Sequence, residues 1–275
     1  MNKNENVLPI GIFDSGVGGL SVLRAIREQL PIESVLYFAD QIHVPYGQRS
    51  MEEICIFSEA ITRFLLNLDA KLIVVACNTA SAAALLFLRN TFPDISFVGM
   101  EPAVKPAAEN TQTGVVGVLA TPATFQGALY ASVVERFAGN VTLLQDTCTG
   151  LVQQIERGDL NGSKTRTILE SALNPMLERG IDTIVLGCTH YPFVIPIIQE
   201  IVGSGVRVID PAPAIARQVT RLLDSSKNRA NVPSFGSVQY FTSGEVTRFE
   251  TLLPKLLGET GEAMKIFWGK NGICS

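Results

Sequence analysis

Two cysteines in matching settings are the residues of this sequence best suited to chemistry. Cys77 follows the apolar run KLIVVA and Cys188 follows the run DTIVLG, and each is followed by small polar residues. A buried strand that stops at a thiol, with a helix beginning just after it, would put the sulfur near the positive end of the helix dipole. That position lowers the pKa of a thiol and makes it a usable general base.

The residues that follow the two thiols favour the same interpretation. Asn78 and Thr79 come after Cys77, and Thr189 comes after Cys188. Asparagine and threonine are good helix caps, so we expect these residues to cap helices that begin there. The backbone N–H groups at such helix starts can also bind a carboxylate.

Two thiols on opposite faces of one carbon atom suit the inversion of a stereocentre. One thiolate removes a proton and the other thiol returns one from the far side. Hydrogen-bond donors on an adjacent carboxylate would stabilise the carbanion, so this chemistry requires no cofactor and we expect none. The alternative role is core packing, because free cysteine is often buried, and we expect it for Cys55, Cys148 and Cys274.

Polar residues in two loops are further candidates. Asp14 ends a predicted strand, where it could contact an amino group or a thiol or merely cap a turn, and Ser15 could donate to a carboxylate. The surrounding stretch, FDSGVGG, is neither a G-x-G-x-x-G nor a Walker sequence, so it does not indicate a nucleotide. The segment Pro45-Tyr46-Gly47 is an ordinary turn signal, and we expect His43 to be a loop or surface residue.

His190 lies two residues after Cys188 and has two interpretations. A histidine beside a reactive thiol can tune the thiol's pKa or relay a proton. The same two side chains could also share a metal ion, as in a zinc-dependent hydrolase. No clear third and fourth ligand follows in the sequence, so we expect no metal site.

The elements that must position these residues alternate along the chain. Short apolar runs rich in β-branched residues are separated by longer segments of helical period, which is typical of parallel sheets buried on both faces. We therefore predict an α/β fold in which loops at the carboxyl ends of the strands form the site. The predicted strands are 8–13, 34–39, 71–76, 95–99, 114–119, 141–145, 182–187 and 206–209.

The chain also repeats itself in three places, in the same order. IGIFDSGVGGLSVL (10–23) matches VGVLATPATFQGAL (116–129), LIVVACNTA (72–80) matches TIVLGCTHY (183–191), and EPAVKPA (101–107) matches DPAPAIA (210–216). We interpret this as two similar halves, 8–100 and 101–209, with 210–275 left over. Two like domains related by a pseudo-two-fold axis would enclose a cleft, and the two cysteines would approach its contents from opposite sides.

Composition excludes several classes of function. The 275 residues are 47% hydrophobic and carry a net charge of −4, without the basic excess of a nucleic-acid or membrane-surface protein. No apolar run reaches the roughly 18 residues of a membrane span, and the N-terminal MNKNENVLP lacks the apolar core of a signal peptide. Five widely spaced cysteines without a CxxC pair favour a reducing compartment, so we expect a cytoplasmic protein.

Taken together, these stretches resemble glutamate racemase, a family of cofactor-independent amino-acid racemases of bacteria. The resemblance implies a two-domain α/β fold, in which 210–275 returns to complete the first domain (8–100) and 101–209 forms the second. It also implies interconversion of L- and D-glutamate, which supplies D-glutamate for peptidoglycan. The motifs that carry it are IGIFDSGVGGLSVL, VPYGQRS, VVACNTASA, EPAVKPA, ATPATFQGALY, LVQQIERG, LGCTHYPF and FTSGEVTRFE.

The resemblance also implies a role for individual residues. Cys77 would be the base on one face of the substrate and Cys188 the base on the other. Asp14 would assist Cys77, while His190 and Glu156 would assist Cys188. The residues that would line the substrate are Asp14, Ser15, Pro45, Tyr46, Gly47, Asn78, Thr79, Thr124, Thr189 and His190.

The chain departs from the family pattern only outside the cysteine motifs, and separate alternatives to this family stay open. Ile42-His43 stands where many members have a small residue and an arginine, and Gly127 stands where serine or lysine is common. The alternatives are an aspartate or hydantoin racemase of the same superfamily, a zinc-dependent hydrolase, or a two-domain solute-binding protein without chemistry. The sequence also leaves the oligomeric state open, and a homodimer is one option.

Overall fold

The computed structural model describes residues 8–231, 234–269 and 272–274. The chain separates into two compact units, of which the first contains the residues up to Met100 and from Ala212 onward. The second unit is Glu101–Pro211. Each unit is built around its own parallel sheet.

Strands and helices alternate along most of the described chain. The strands are β1 (Ile10–Asp14), β2 (Val35–Ala39), β3 (Leu72–Val75), β4 (Phe97–Gly99), β5 (Val115–Ala120), β6 (Thr142–Asp146), β7 (Thr183–Gly187), β8 (Arg207–Ile209), β9 (Val238–Thr242), β10 (Ala263–Lys265), β11 (Phe267–Gly269) and β12 (Gly272–Cys274). The helices are α1 (Leu20–Gln29), α2 (Met51–Asn67), α3 (Asn78–Thr91), α4 (Val104–Asn110), α5 (Pro122–Gln126), α6 (Ala128–Phe137), α7 (Leu151–Glu156), α8 (Ser163–Glu178), α9 (Ile195–Val202), α10 (Ala212–Ser225) and α11 (Val246–Leu257). Short 3-10 helices cover Tyr46–Gln48 and Tyr191–Val194.

The sheet of the first unit has the strand order β10-β9-β2-β1-β3-β4, and every pairing in it is parallel. All residues of β1, β2 and β3 are buried, as expected for a parallel sheet covered on both faces. Two of its strands, β9 and β10, were not predicted. Polar residues interrupt the apolar pattern of β9, and β10 has only three residues, so neither produces a continuous apolar run.

The sheet of the second unit has the order β6-β5-β7-β8 and is also parallel throughout. It repeats the order β2-β1-β3-β4 of the first sheet. The register repeats as well, since Ile10 pairs with Leu72 and the equivalent Val116 pairs with Thr183. The predicted fold class, two similar α/β units with parallel sheets, is confirmed.

Equivalent strands are anchored differently at their amino ends. Lys71, just before β3, places Nζ 2.7 Å from Glu33 Oε2, and both side chains are only 1% exposed. The same Nζ donates to the carbonyl of Asn228, and Glu33 accepts from the backbone N–H of Ala230. At the position before β7, Asp182 instead accepts hydrogen bonds from the loop that precedes β5.

The antiparallel pair β11–β12 also belongs to the first unit. Trp268 and Ile273, from the two strands, contact the hydrophobic core that includes residues of α2 and α3. Within the described residues, no helix is long and apolar enough to span a membrane.

Candidate active site

The carboxyl ends of the first unit's strands gather polar residues at one edge of the sheet. Asp14 ends β1, Asp40 follows β2, Ser243 follows β9, and Cys77 lies two residues after the end of β3. Since parallel strands all end on the same side, these four residues lie along a single edge. All four are buried, which is unusual for so many polar groups together.

Cys77 itself caps the helix that follows it. Its side chain is the N-cap group of α3, and its Sγ accepts a hydrogen bond from the backbone N–H of Ala80 at 3.4 Å. The prediction that Asn78 and Thr79 would cap this helix is therefore wrong, because both lie inside its first turn. The residue is 5% exposed, and its sulfur, 3.9 Å from the hydroxyl of Ser15, lies at the positive end of the helix dipole.

The loop FDSGVGG is folded around the carboxylate of Asp14. Oδ2 of Asp14 accepts hydrogen bonds from the backbone N–H groups of Gly16, at 3.1 Å, and Gly19, at 3.0 Å. A side chain at Gly19 would lie 2.7 Å from the Cβ of Asp14, so the loop needs glycine there. The hydroxyl of Tyr37 donates to the carbonyl of Gly16. The glycines therefore hold an aspartate next to the edge of the sheet.

Asn78 presents an amide group that the described residues leave unsatisfied. The side chain is 3% exposed, and neither Nδ2 nor Oδ1 has a hydrogen-bond partner among them. Leaving a buried donor and acceptor unpaired costs roughly 1–3 kcal/mol each, so native proteins rarely do so without a function. A bound molecule with both a donor and an acceptor, such as an amino acid, would satisfy both atoms.

Tyr46 is held in the same region by its hydroxyl group. It lies in the 3-10 helix Tyr46–Gln48 and donates to Oδ2 of Asp40 at 2.7 Å. Burial raises the pKa of Tyr46 well above its usual value, and the negative charges of Asp40, Cys77 and Asp14 raise it further. The hydroxyl therefore remains a protonated donor. Its neighbours Pro45 and Gly47 are half-buried in the predicted turn.

In the second unit, Cys188 is part of a chain of three side chains. Its Sγ lies 3.7 Å from Nδ1 of His190, and Nε2 of His190 lies 2.6 Å from Oε1 of Glu156. All three residues are buried. Burial by itself lowers the pKa of His190, but hydrogen bonds to Cys188 and Glu156, together with their charges, outweigh it and raise the pKa well above its usual value. A charged imidazolium beside the sulfur stabilises the thiolate.

The backbone after Cys188 also differs from the expectation. No α-helix begins there; the 3-10 helix Tyr191–Val194 comes first, and α9 starts only at Ile195. The prediction that Thr189 would cap a helix is therefore wrong, although its side chain is buried. The helix dipole that acts on Cys77 has no α-helical counterpart at Cys188.

Two further residues lie near the carboxyl ends of strands in the second unit. One is Thr124, a predicted site residue, and the other is Cys148, which was expected to pack in the core. Thr124 is buried in the first turn of α5, which Thr121 caps, and the two hydroxyls are 3.0 Å apart. Cys148 follows β6, and burial first, then the charges of Asp146 and Cys188, raises the pKa of its thiol well above the usual value. Cys148 therefore stays a neutral thiol.

Sequence reasoning missed Asp40. The signal was available, because an acidic residue directly follows the predicted strand 34–39, just as Asp14 ends the neighbouring strand. The segment that follows, Pro45-Tyr46-Gly47, predicts only a turn, and this signal gives Asp40 no role. His43, expected as a loop or surface residue, lies in the loop but is half-buried, with Nδ1 2.8 Å from Asp40.

Among the described residues, no group of three or more histidine, cysteine or acidic side chains is arranged to hold a metal ion.

The amino-acid sequence matches a known protein family over most of its length. A family model described as Asp/Glu/Hydantoin racemase matches residues 10–219. A glutamate racemase from Ectopseudomonas mendocina (strain ymp) is 49% identical over 259 residues, which cover 94% of this chain and 98% of that protein.

Two solved structures give the same result. Glutamate racemase from Francisella tularensis in complex with D-glutamate has a TM-score of 0.82 and 27% identity, covering 94% of this chain and 97% of that one. Escherichia coli glutamate racemase in complex with L-glutamate and the activator UDP-MurNAc-Ala has a TM-score of 0.81 and 34% identity, with the same coverage. Because the similarity extends through both units and both cysteine motifs, this chain belongs to the Asp/Glu/hydantoin racemase family of isomerases and, within it, to the glutamate racemase branch.

Proposed function

We propose that this chain interconverts L- and D-glutamate by moving a proton at Cα between two thiols, Cys77 and Cys188, without a cofactor. The observation that carries the proposal is the equivalent placement of the two thiols. Each follows a buried strand at the same position of the same sheet order, and each has a group beside it that stabilises a thiolate. The high identity to glutamate racemases over almost the whole chain supports glutamate as the substrate.

The proposed reaction has two proton transfers. One cysteine, as thiolate, takes the proton from Cα, and the electron pair of the broken C–H bond remains on the substrate as a carbanion. The other cysteine, as thiol, gives its proton to the opposite face and becomes the thiolate. The two sulfurs must therefore begin in opposite protonation states, and they exchange those states in each turnover.

Neighbouring residues take defined roles in this proposal. The carboxylate of Asp14 assists proton transfer at Cys77, and the His190–Glu156 pair assists it at Cys188. The unsatisfied amide of Asn78 and the protonated hydroxyl of Tyr46 bind polar groups of the substrate. Ser15, Pro45, Gly47, Thr79, Thr124 and Thr189 complete the set of residues that we propose to line the substrate.

Donors on the α-carboxylate reduce the cost of the carbanion. The proton at Cα of an amino acid is weakly acidic, so the negative charge that develops must be stabilised as it forms. The buried hydroxyls and amide named above supply donors in surroundings of low dielectric, where each is stronger than in water. We propose that the product D-glutamate is used in the cytoplasm for peptidoglycan synthesis.

An aspartate-specific enzyme is the alternative within the same family. The same two thiols would act on aspartate. Its side chain is one methylene shorter than that of glutamate, so only the contacts to the side-chain carboxylate would differ. A difference of one methylene gives only about 10–200-fold discrimination. Rates with L-glutamate, L-aspartate and a 5-substituted hydantoin, measured side by side, distinguish the substrates.

Circular dichroism tests the proposal directly. L-Glutamate incubated with protein that has been treated with a chelator, and with no additive, should lose its signal completely as the racemate forms. In D2O, deuterium should appear at Cα of the product. Cys77→Ala and Cys188→Ala should each stop the loss of signal, while Cys55→Ala, a change at a half-buried cysteine in α2, should not. Full turnover by Cys188→Ala would contradict the proposed mechanism.

A further inference from the structure

Asp40 collects hydrogen bonds from four side chains on one buried carboxylate. Its Oδ2 accepts from the hydroxyl of Tyr46 at 2.7 Å and lies 2.8 Å from Nδ1 of His43. Its Oδ1 accepts from the hydroxyl of Ser243 at 2.8 Å and from the indole Nε1 of Trp268 at 2.8 Å. Asp40 is fully buried, so these contacts replace its hydration.

The four donors come from separate parts of the first unit. Tyr46 and His43 belong to the loop after β2, Ser243 follows β9, and Trp268 lies in β11 near the end of the chain. All four side chains meet at Asp40. The carboxylate therefore joins the loop that carries Tyr46 to the C-terminal strand pair through hydrogen bonds.

Ring contacts hold Trp268 and His43 together on α2. The His43 ring stacks on Phe57 with centroids 3.9 Å apart, and the Trp268 ring meets His43 edge-on at 4.9 Å. Trp268 also contacts Phe57, at 5.5 Å. The indole is thus fixed by packing, and its N–H has a defined direction toward Asp40.

The loop itself is tied to Asp40 and to neighbouring groups. The backbone N–H of Ile42 donates to the hydroxyl of Ser243, which in turn donates to Asp40. Nε of Arg49 donates to the carbonyl of His43 at the other end of the loop. Between these ends, the hydroxyl of Tyr46 has Asp40 as its acceptor.

We propose that Asp40 is a positioning residue that holds Tyr46 in the substrate site by joining it, through one carboxylate, to Trp268 of the C-terminal strand pair. This inference rests on the proposed function, in which Tyr46 binds substrate. Asp40 takes no part in proton transfer. Its removal changes where the substrate is bound and leaves the two thiols as they are.

The tryptophan makes the link measurable without substrate, because the chain contains only one. All tryptophan fluorescence therefore comes from Trp268. Tyr46→Phe, which removes one donor from Asp40, should change the emission spectrum of the unliganded protein. Tyr240→Phe is the matched control, since its hydroxyl donates to Glu259 instead, and it should leave the spectrum unchanged. Identical spectra for wild type and Tyr46→Phe would overturn the link.

Kinetics test the positioning role. Trp268→Phe keeps an aromatic ring but removes the N–H, and Asp40→Asn removes the charge that all four donors share. Each should raise KM for glutamate by about tenfold, the effect expected from one hydrogen bond to a charged group, with kcat reduced less than about threefold. Combining the two should add little to Asp40→Asn alone, because both act through the same carboxylate.

The outcomes are distinct. A lower melting temperature with unchanged KM in Trp268→Phe and in any folded Asp40→Asn protein would mean that Asp40 only stabilises the fold, and the proposal would be wrong. Failure of the wild type to racemise glutamate would contradict the proposed function. In that case the fluorescence comparison still decides the link between Tyr46 and Trp268, since it needs neither substrate nor turnover.

Discussion

The surroundings of Cys77 and Cys188 differ although their places in the two sheets are the same. Cys77 caps the fourteen-residue helix α3, and its sulfur receives a backbone N–H. Cys188 precedes a short 3-10 helix and is paired instead with His190. The amino end of a helix lies beside one sulfur, and the ring of a histidine lies beside the other. The two units therefore share the position of the thiol but not the groups that surround it.

Equivalent positions of the two aligned repeats carry different side chains near the thiols. Asp14 in the first unit has Ala120 at its equivalent position in the second, and Thr79 has His190. The carboxylate of the second unit comes instead from Glu156, at the end of α7, which stands where the first unit has the 3-10 helix Tyr46–Gln48. Each unit thus supplies one carboxylate, but the two come from different elements, β1 in the first unit and α7 in the second.

The amino ends of the equivalent strands show the same divergence. Lys71 before β3 is a buried cation paired with Glu33, whereas Asp182 before β7 accepts several hydrogen bonds near the surface. Burial works against the charge of Asp182, but hydrogen bonds from Thr113 and its neighbours outweigh it and lower the pKa to about 2.

The largest expected effect comes from replacing each thiol by a hydroxyl. Cys77→Ser and Cys188→Ser should each reduce kcat by about 10²–10⁴-fold, since serine is a far weaker base at neutral pH. L- and D-glutamate have equal free energies, so kcat/KM must be equal in the two directions for every variant. Because the two activating groups differ, kcat and KM taken separately should change unequally between directions. Initial rates from each enantiomer measure this, and identical changes in the two variants would mean that the difference between the sites has no kinetic effect.

Lys71→Met should give the next largest effect, on stability. It leaves Glu33 as a buried charge without its cation, which costs about 3–5 kcal/mol in the free energy of unfolding. Urea denaturation at pH 7 measures the loss. The matched control is Lys105→Met, whose Nζ is 3.9 Å from Glu109 at an exposed site and which should cost less than about 0.5 kcal/mol. Equal costs for the two variants would remove the distinction between a buried and an exposed pair.

Glu156→Gln should change the pH dependence of racemisation. The charge and hydrogen bond of Glu156 raise the pKa of His190, so the variant histidine has a lower pKa. An imidazolium exists only below its pKa, and the support it gives Cys188 is lost as pH rises through that value. The alkaline limb of kcat should therefore move to lower pH, with about a tenfold loss above it. Rates from pH 6 to 9.5 measure the shift, and an unmoved limb would argue against the role of Glu156.

Asp182→Asn should give the smallest effect, a loss of folding stability that is present at neutral pH and absent at acid pH. A carboxylate whose folded pKa is depressed stabilises the fold above its unfolded pKa, near 3.9, and loses that contribution as pH falls to about 2. Because the group is near the surface, the loss at pH 7 should be below about 1 kcal/mol. Urea midpoints at pH 7 and pH 3 test this, and exposed Asp94→Asn is the control. A loss that grows toward pH 3 would contradict the assigned sign.

Local patterns predicted much of the fold. The eight predicted strands lie within two residues of β1–β8 at either end, because continuous apolar runs give an unambiguous signal for buried parallel strands. β9 to β12 were missed because they are short or interrupted by polar residues, and β9 and β10 are strands only through their pairing in the sheet. The predicted caps Asn78, Thr79 and Thr189 were wrong, because the cap is set by the residue at which the backbone leaves the strand. A difference of one residue in that position changes which residue is the cap.

By itself, the sequence determined the fold class, the internal repeat and the identity of the two thiols, since each depends on local periodicity and on residue types at fixed spacing. Only the tertiary structure decided which groups lie beside each thiol. The Cys77 cap, the Cys188–His190–Glu156 chain and the four donors on Asp40 depend on atoms brought within about 3–4 Å by packing. Several of those partners are far apart in the chain, as with Asp40 and Trp268, and no pattern of local sequence reports such a distance.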